Sequence, residues 1–133
     1  MTKLSPLFPL KLLAALMLLM SSFTFAQTLV EIDVAKAAAQ IQDTQIKVLD
    51  VREPSEFAAG HIKDAILIPL DQVEKRIAEL EGLKDQPMIV VCGSGGRSAA
   101  AIKTLSGKYG FTQLQNLKGG MGAWRKAGLL VVP

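Results

Sequence analysis

Met88-Ile89-Val90-Val91-Cys92-Gly93-Ser94-Gly95-Gly96-Arg97-Ser98 is the stretch that decides the fold. Met88–Val91, introduced by Pro87, is an apolar run too short for a helix and suited to a parallel strand buried on both faces. A glycine-rich turn follows, and from Ser98 the chain returns to helical spacing through Ala99, Ile102 and Leu105. The same alternation continues outward. Upstream, Ile46–Val51 is β-branched and apolar and ends in the polar turn Arg52–Ser55, while Ala65–Ile68 is a short apolar run stopped by Pro69. Asp33 is placed to cap a helix whose Val34, Ala37, Ala38 and Ile41 share a face. Asp71–Leu80 is predicted to be an amphipathic helix, with Val73, Ile77 and Leu80 on one side and Glu74, Lys75 and Glu79 on the other. Downstream, Thr112–Leu117 is a strand candidate and Met121–Ala127 a short helix after Gly119-Gly120. The pattern predicts an α/β domain, a mostly parallel sheet with helices on both faces, with no repeat, low-complexity tract or linker.

The chain's 133 residues, 50% apolar and 20% charged, allow one domain and exclude a disordered polymer. One cysteine and one histidine exclude an internal disulfide framework and a structural zinc site. The pI near 9.1 suggests a basic protein. Yet Lys3 and Lys11 lie in an N-terminal stretch without acids, and beyond residue 26 the balance is 13 basic to 12 acidic side chains. That near-neutrality, with few aromatics, argues against nucleic-acid binding.

Met1–Ala26 has the order of a secretory signal peptide: two lysines, the apolar run Leu12–Met20, a polar break at Ser21-Ser22, and small Ala26 before Gln27. The run falls short of the roughly 18–20 residues that span a bilayer. Cleavage is therefore expected, leaving a domain over 27–133. The rival is an uncleaved anchor, the one route by which the membrane becomes a partner. Under either, positive charge before the apolar run places the domain outside the cytoplasm. No cysteine follows the leader to carry a lipid.

In open parallel sheets, ligands sit beyond the C-terminal strand ends, where Cys92 stands. Gly93, Ser94, Gly95 and Gly96 let backbone N–H groups turn inward as an anion nest, and Arg97-Ser98 opens a helix. A thiol there is stabilised as thiolate by those donors, the helix dipole and Arg97, which makes it a nucleophile at neutral pH. The bland alternative is a buried, inert cysteine above a tight turn. A dinucleotide loop fails because Ser98 stands where its last glycine is needed, and a P-loop fails for want of Gly-Lys-Ser/Thr.

Together with other stretches, this loop resembles the rhodanese domain family. Leu49–Ile62 (LDVREPSEFAAGHI) resembles the family's N-terminal signature, and Ala65–Leu70 the strand that follows. Cys92–Ser98 fits C-x-x-G-x-R-S, and Asn116–Trp124 (NLKGGMGAW) resembles the closing signature. The likeness covers roughly Asp33 to Gly128, and the exported single-domain form is similar to periplasmic rhodaneses of the phage-shock protein E type. It departs at Lys63-Asp64, where the family commonly has glycine before the alanine. The resemblance implies about five parallel strands between helices and a sulfurtransferase with Cys92 as sulfur acceptor. It implies a small donor (thiosulfate or a polysulfide), a thiol or cyanide as acceptor, a Cys92 persulfide cradled by Gly93–Ser98, and no metal or dissociable cofactor. The expected state is a monomer or weak dimer.

Arg97 is expected to assist an anionic donor and the thiolate, against the plainer expectation of a helix-start arginine turned to solvent. Asp50 and Arg52, beside the site, are expected to form a structural ion pair or turn hydrogen bond, with direct support of catalysis as the lesser alternative. His61 is expected to be structural rather than a general base. Glu56 is expected to be solvated or paired with Arg52, Trp124 to fill the core edge near Met121, and Gly119-Gly120 to make a turn. Two competitors remain. Phosphatases and arsenate reductases of the same architecture carry Cys-x5-Arg, one residue longer than the span from Cys92 to Arg97. A non-enzymatic carrier or binding module would usually lack the cysteine.

Overall fold

The computed structural model describes residues 28–133. The expected leader and its cleavage point lie outside the described residues. In chain order the elements are β1 (Glu31–Ile32), α1 (Val34–Thr44), β2 (Lys47–Asp50), α2 (Pro54–Ala58), β3 (Ile66–Leu67), two 3-10 segments (Leu70–Gln72 and Ile77–Leu83), β4 (Met88–Val91), α3 (Gly96–Tyr109), β5 (Leu114–Leu117) and α4 (Gly120–Lys126). The strands form one five-stranded parallel sheet in the order β1-β5-β4-β2-β3. This is the predicted α/β sheet with helices.

β4 is the middle strand, and its uninterrupted apolar run is explained by burial on both faces. Successive side chains alternate between two cores. Met88, Val90 and Cys92 join Leu49, Val51, Ile68, Leu105 and Phe111 on the α3 face. Ile89 and Val91 join Val48, Ile32, Ala37, Met121 and Trp124 on the opposite face, against α1 and α4. Asp33 caps α1 by accepting from the Lys36 N–H at 2.9 Å, and Ala37 is the buried point of its apolar face.

Two expectations change. The helix predicted over Asp71–Leu80 is instead two 3-10 segments joined by a turn, held mainly by bonds three residues apart such as Gln72 N–H to Pro69 O at 2.8 Å and Glu79 N–H to Arg76 O at 3.0 Å, with one four-residue bond, Arg76 N–H to Gln72 O at 2.9 Å, at the joint. The apolar residues Leu70, Val73, Ile77, Leu80 and Leu83 pack on the α3-side core at a spacing that fits either helix type. Both ends of the segment are tethered, Leu70 N–H to Val51 O at 3.1 Å and Thr112 N–H to Lys84 O at 3.1 Å, and 3-10 geometry covers more length per residue between them. Additionally, β1 is a strand that composition did not reveal, two residues long with Glu31 exposed. Its pairing with β5 defines it.

At the departure from the family pattern, Asp64 takes φ +64°. The glycine of the pattern is thus replaced by one of the few side chains that tolerate the left-handed region. No helix among the described residues is long and apolar enough to cross a membrane.

Candidate active site

The chain leaves β2 toward β3 on one side and leaves β4 toward β5 on the other. The crevice opened by that divergence lies beyond the C-terminal ends of β2 and β4, whose last residues, Asp50 and Val91, are register partners. Asp50, Arg52 and Cys92 all come from these two strand ends.

Cys92 is wholly buried, and its Sγ accepts from the Gly95 N–H at 3.0 Å and lies 3.3 Å from Ser98 Oγ. Burial is the largest single influence on this thiol and pushes its pKa up. Hydrogen bonds from the Ser98 hydroxyl and from the backbone N–H groups of Ser98, Gly95 and Ser94 together outweigh it, so the pKa is lowered. The donors predicted to cradle the sulfur are therefore narrower than the whole loop. Gly95 supplies both a donor and the sharp bend, with φ +108° at the start of α3. Gly96 has open space where a side chain would stand and is not required sterically.

Gly120, expected only to make a turn, lets the start of α4 hold the loop from outside. The N–H groups of Met121 and Gly122, at the start of α4, bind the carbonyls of Cys92 (2.8 Å) and Gly93 (3.0 Å). These bonds turn the carbonyls away from the sulfur and leave N–H groups to face it. A Cβ on Gly120 would collide with the Cys92 carbonyl oxygen and stand 2.7 Å from the Gly93 carbonyl, so only glycine admits this approach.

Asn116 is a second residue whose role was missed. It is buried, and its Oδ1 accepts from Ser98 Oγ at 2.5 Å while its Nδ2 donates to the Gly95 carbonyl at 3.1 Å. Ser98 has one hydroxyl proton and two polar neighbours competing for it besides the sulfur, Asn116 Oδ1 and the Gly95 carbonyl at 3.1 Å. One proton cannot serve the sulfur and both oxygens at once, so Asn116 and the Gly95 carbonyl compete with the sulfur for the Ser98 hydroxyl. The available signal was a polar Asn116 beside Leu117 in a short strand candidate, and Gln115 next to it, half-exposed, shows how weak that signal is. Removing the hydroxyl in Ser98→Ala is expected to raise the Cys92 pKa, as loss of a hydrogen bond to a charged group implies. The pH dependence of iodoacetamide alkylation reads this directly, and an unmoved midpoint would mean the backbone donors suffice.

Arg97 is half-exposed, yet its side-chain hydrogen bonds go to a carboxylate and none reaches the sulfur. Its Nη1 and Nη2 donate to Glu56 Oε1 and Oε2 at 2.7 and 2.9 Å, a two-pronged pair joining α3 to α2. The expectation that Glu56 is solvated or paired with Arg52 is corrected accordingly. Arg52 reaches only the Glu56 backbone carbonyl, at 3.3 Å, because its guanidinium is already committed elsewhere. The Arg97 hydrogen bond lowers the Glu56 carboxyl from 4.5 to about 2 despite some opposing burial, with smaller help from the Glu53 N–H and the charges of Arg97 and Arg52. A carboxyl depressed on folding stabilises fully above its unfolded pKa, and that contribution fades as pH falls toward 2.

Asp50 and Arg52 form the expected structural ion pair, fully buried, with Nη2 to Oδ2 at 2.7 Å and Nε to Oδ1 at 2.9 Å. Arg52 also donates to the Gly60 carbonyl at 2.9 Å, so the pair pins the turn after β2 and the end of α2. His61 stacks on Phe57 with ring centroids 3.6 Å apart, and its Nδ1 lies 2.9 Å from the Phe57 carbonyl. A carbonyl only accepts, so Nδ1 carries the proton. The His61 backbone exchanges two 2.9 Å bonds with Val132, tying α2 to the C-terminal segment. Trp124 fills the core beside Met121, as expected, and donates Nε1–H to the Leu130 carbonyl at 3.0 Å.

The family model for the rhodanese-like domain matches residues 33–127. A protein of Allochromatium vinosum named Sulfurtransferase is 35% identical over 103 residues, covering 77% of this chain and 94% of that one. The uncharacterized protein YqhL of Bacillus subtilis is 44% identical over 78 residues, 59% of this chain and 60% of its own. Among solved structures, a rhodanese-related protein from Thermoplasma volcanium superposes with TM-score 0.68 at 35% identity, covering 77% of this chain and 97% of that one. With a cysteine loop at the C-terminal end of its central parallel strand and this match over most of its length, the chain belongs to the rhodanese-like domain family.

Proposed function

We propose that the protein is a sulfurtransferase that moves a sulfane sulfur through a persulfide on Cys92. The observation that carries this reading is the convergence of the Ser94, Gly95 and Ser98 N–H groups and the Ser98 hydroxyl on one buried sulfur, with the thiol pKa lowered. With thiosulfate, the Cys92 thiolate attacks the outer sulfur and forms a new S–S bond. The old S–S bond breaks with its electron pair on sulfite. The persulfide then carries one negative charge, as the thiolate did, in the same ring of donors. Cyanide or a thiolate attacks the outer sulfur in turn, leaving as thiocyanate or a new persulfide and restoring the Cys92 thiolate. Every electron pair is accounted for without an external oxidant.

Phosphoryl transfer fits less well. The span from Cys92 to Arg97 is one residue shorter than in Cys-x5-Arg enzymes, and the Arg97 charge is already paired with the Glu56 carboxylate.

Incubating the protein with thiosulfate is expected to add the mass of one sulfur atom at Cys92, and subsequent cyanide to remove it as thiocyanate. Absence of the added sulfur overturns the proposal. Loading without release to cyanide or thiols reduces it to a carrier role. We further propose that the domain works outside the cytoplasm, which the apolar run Leu12–Met20, preceded by Lys3 and Lys11, supports. Exposed large apolar side chains among the described residues are confined to Leu29, Val30 and Leu130, which supports a monomer or weak dimer.

A further inference from the structure

Arg97 is the one cationic side chain within the Cys92–Ser98 loop, and a dianionic donor would be drawn to it. Yet both of its terminal nitrogens face a carboxylate. That carboxylate is held in place: Glu56 Oε1 also accepts from the Glu53 N–H at 3.2 Å, and the Glu56 carbonyl accepts from buried Arg52. The pair lies against the loop itself. A Cβ on Gly93, the neighbour of Cys92, would stand 3.2 Å from Arg97 Nη2 and 3.8 Å from Glu56 Oε2. With its carboxyl depressed to about 2, Glu56 stays ionised at every working pH, so pH does not release Arg97.

We propose that Glu56 is a specificity-determining residue of this site: by neutralising Arg97 it disfavours dianionic donors such as thiosulfate and favours persulfides of low net charge. The proposal rests on the sulfur-transfer reading above. A thiosulfate dianion has to compete with a carboxylate already bound through two hydrogen bonds, and it brings its charge beside Glu56, Glu53 and the thiolate. A low-charge persulfide does not need Arg97. The Cys92 thiolate attacks its terminal sulfur, the new S–S bond forms, and the old S–S bond breaks with its electron pair on the departing thiolate. Charge is conserved and nothing is oxidised overall. Thiosulfate remains a substrate, but a poor one.

The test compares thiosulfate with cysteamine persulfide, whose net charge is zero, on the full chain and on Glu56→Gln, Arg97→Gln and the double variant. Glutamine keeps an Oε1 to accept the Glu53 N–H. Glu56→Gln is expected to raise kcat/KM for thiosulfate about three- to tenfold at low ionic strength, through KM, as freeing one charge-assisted contact implies. The value for cysteamine persulfide is expected to stay within about twofold, because a net-neutral donor gains little from a freed charge. The thiosulfate gain should vanish in the double variant and in high salt. Before any substitution, the parent's KM for thiosulfate should not rise with salt, because its arginine is already neutralised and the remaining local charge repels the dianion. Equal effects of Glu56→Gln on both donors, or a parent KM that rises steeply with salt, overturn the proposal and leave Glu56 a brace for the loop. If neither donor adds sulfur to the parent, the sulfur-transfer reading itself fails and takes the proposal with it.

Discussion

Cys92→Ser is expected to abolish sulfur transfer, with a loss of about a thousandfold or more, as for removal of a covalent nucleophile. The argument is chemical rather than steric. A serine hydroxyl in the same place meets the same donors, the Gly95 N–H and the Ser98 hydroxyl. However, it is not ionised near neutral pH, and no hydroxyl forms a stable bond to a sulfane sulfur that a second nucleophile can then relieve. Because the oxygen still accepts those hydrogen bonds, the fold should hold, with stability within about 1 kcal/mol of the parent. A sulfurtransferase assay beside a urea melt separates the two effects. Activity retained in a folded Cys92→Ser protein would remove Cys92 from the chemistry.

The second large effect is on stability. Asp50→Ala leaves the Arg52 guanidinium buried beside an alanine, with only the carbonyls of Gly60 and Glu56 to satisfy it. Breaking one side of a buried pair costs about 3–5 kcal/mol. A domain of this size has only about 5–15 kcal/mol in total, so a fall in Tm of more than about 10 °C is expected. The strain should propagate to the site, since Arg52 is what ties the Glu56 backbone to the end of β2. Replacing both partners in Asp50→Leu/Arg52→Met is expected to recover much of the loss, because no uncompensated charge is then buried. Calorimetry on the two variants decides it. Equal instability in both would assign the cost to packing instead of charge.

Much of this architecture could be anticipated because burial writes a strong pattern. A four-residue apolar run between Pro87 and Cys92 has few options other than a doubly buried strand, and its side chains do alternate between two cores. Elements at the sheet edge leave weaker traces. β1 has a single buried residue, Ile32, and is defined by its bonds to β5 rather than by composition. In the 3-10 run, the spacing of Leu70, Val73, Ile77, Leu80 and Leu83 suits either helix type, and the bonds that tether its ends to Val51 and Thr112 are long-range.

At the site, Cys92 and its glycine-rich loop were legible because the chemistry depends on neighbours in the chain: a strand end, a left-handed Gly95 and a helix start. Residues distant in sequence were not. Glu56 and Arg97 stand 41 positions apart, Ser98 and Asn116 18 apart, and nothing local to either says that they meet. By itself the sequence determined a parallel α/β sheet, the place of the nucleophile and the backbone donors around it, since these follow from local pattern and residue chemistry. Only the tertiary structure decided which groups set the charge at that nucleophile. An ion pair depends on where the β2–α2 turn and the β4–α3 loop come together, and packing of the whole sheet alone brings those strand ends side by side.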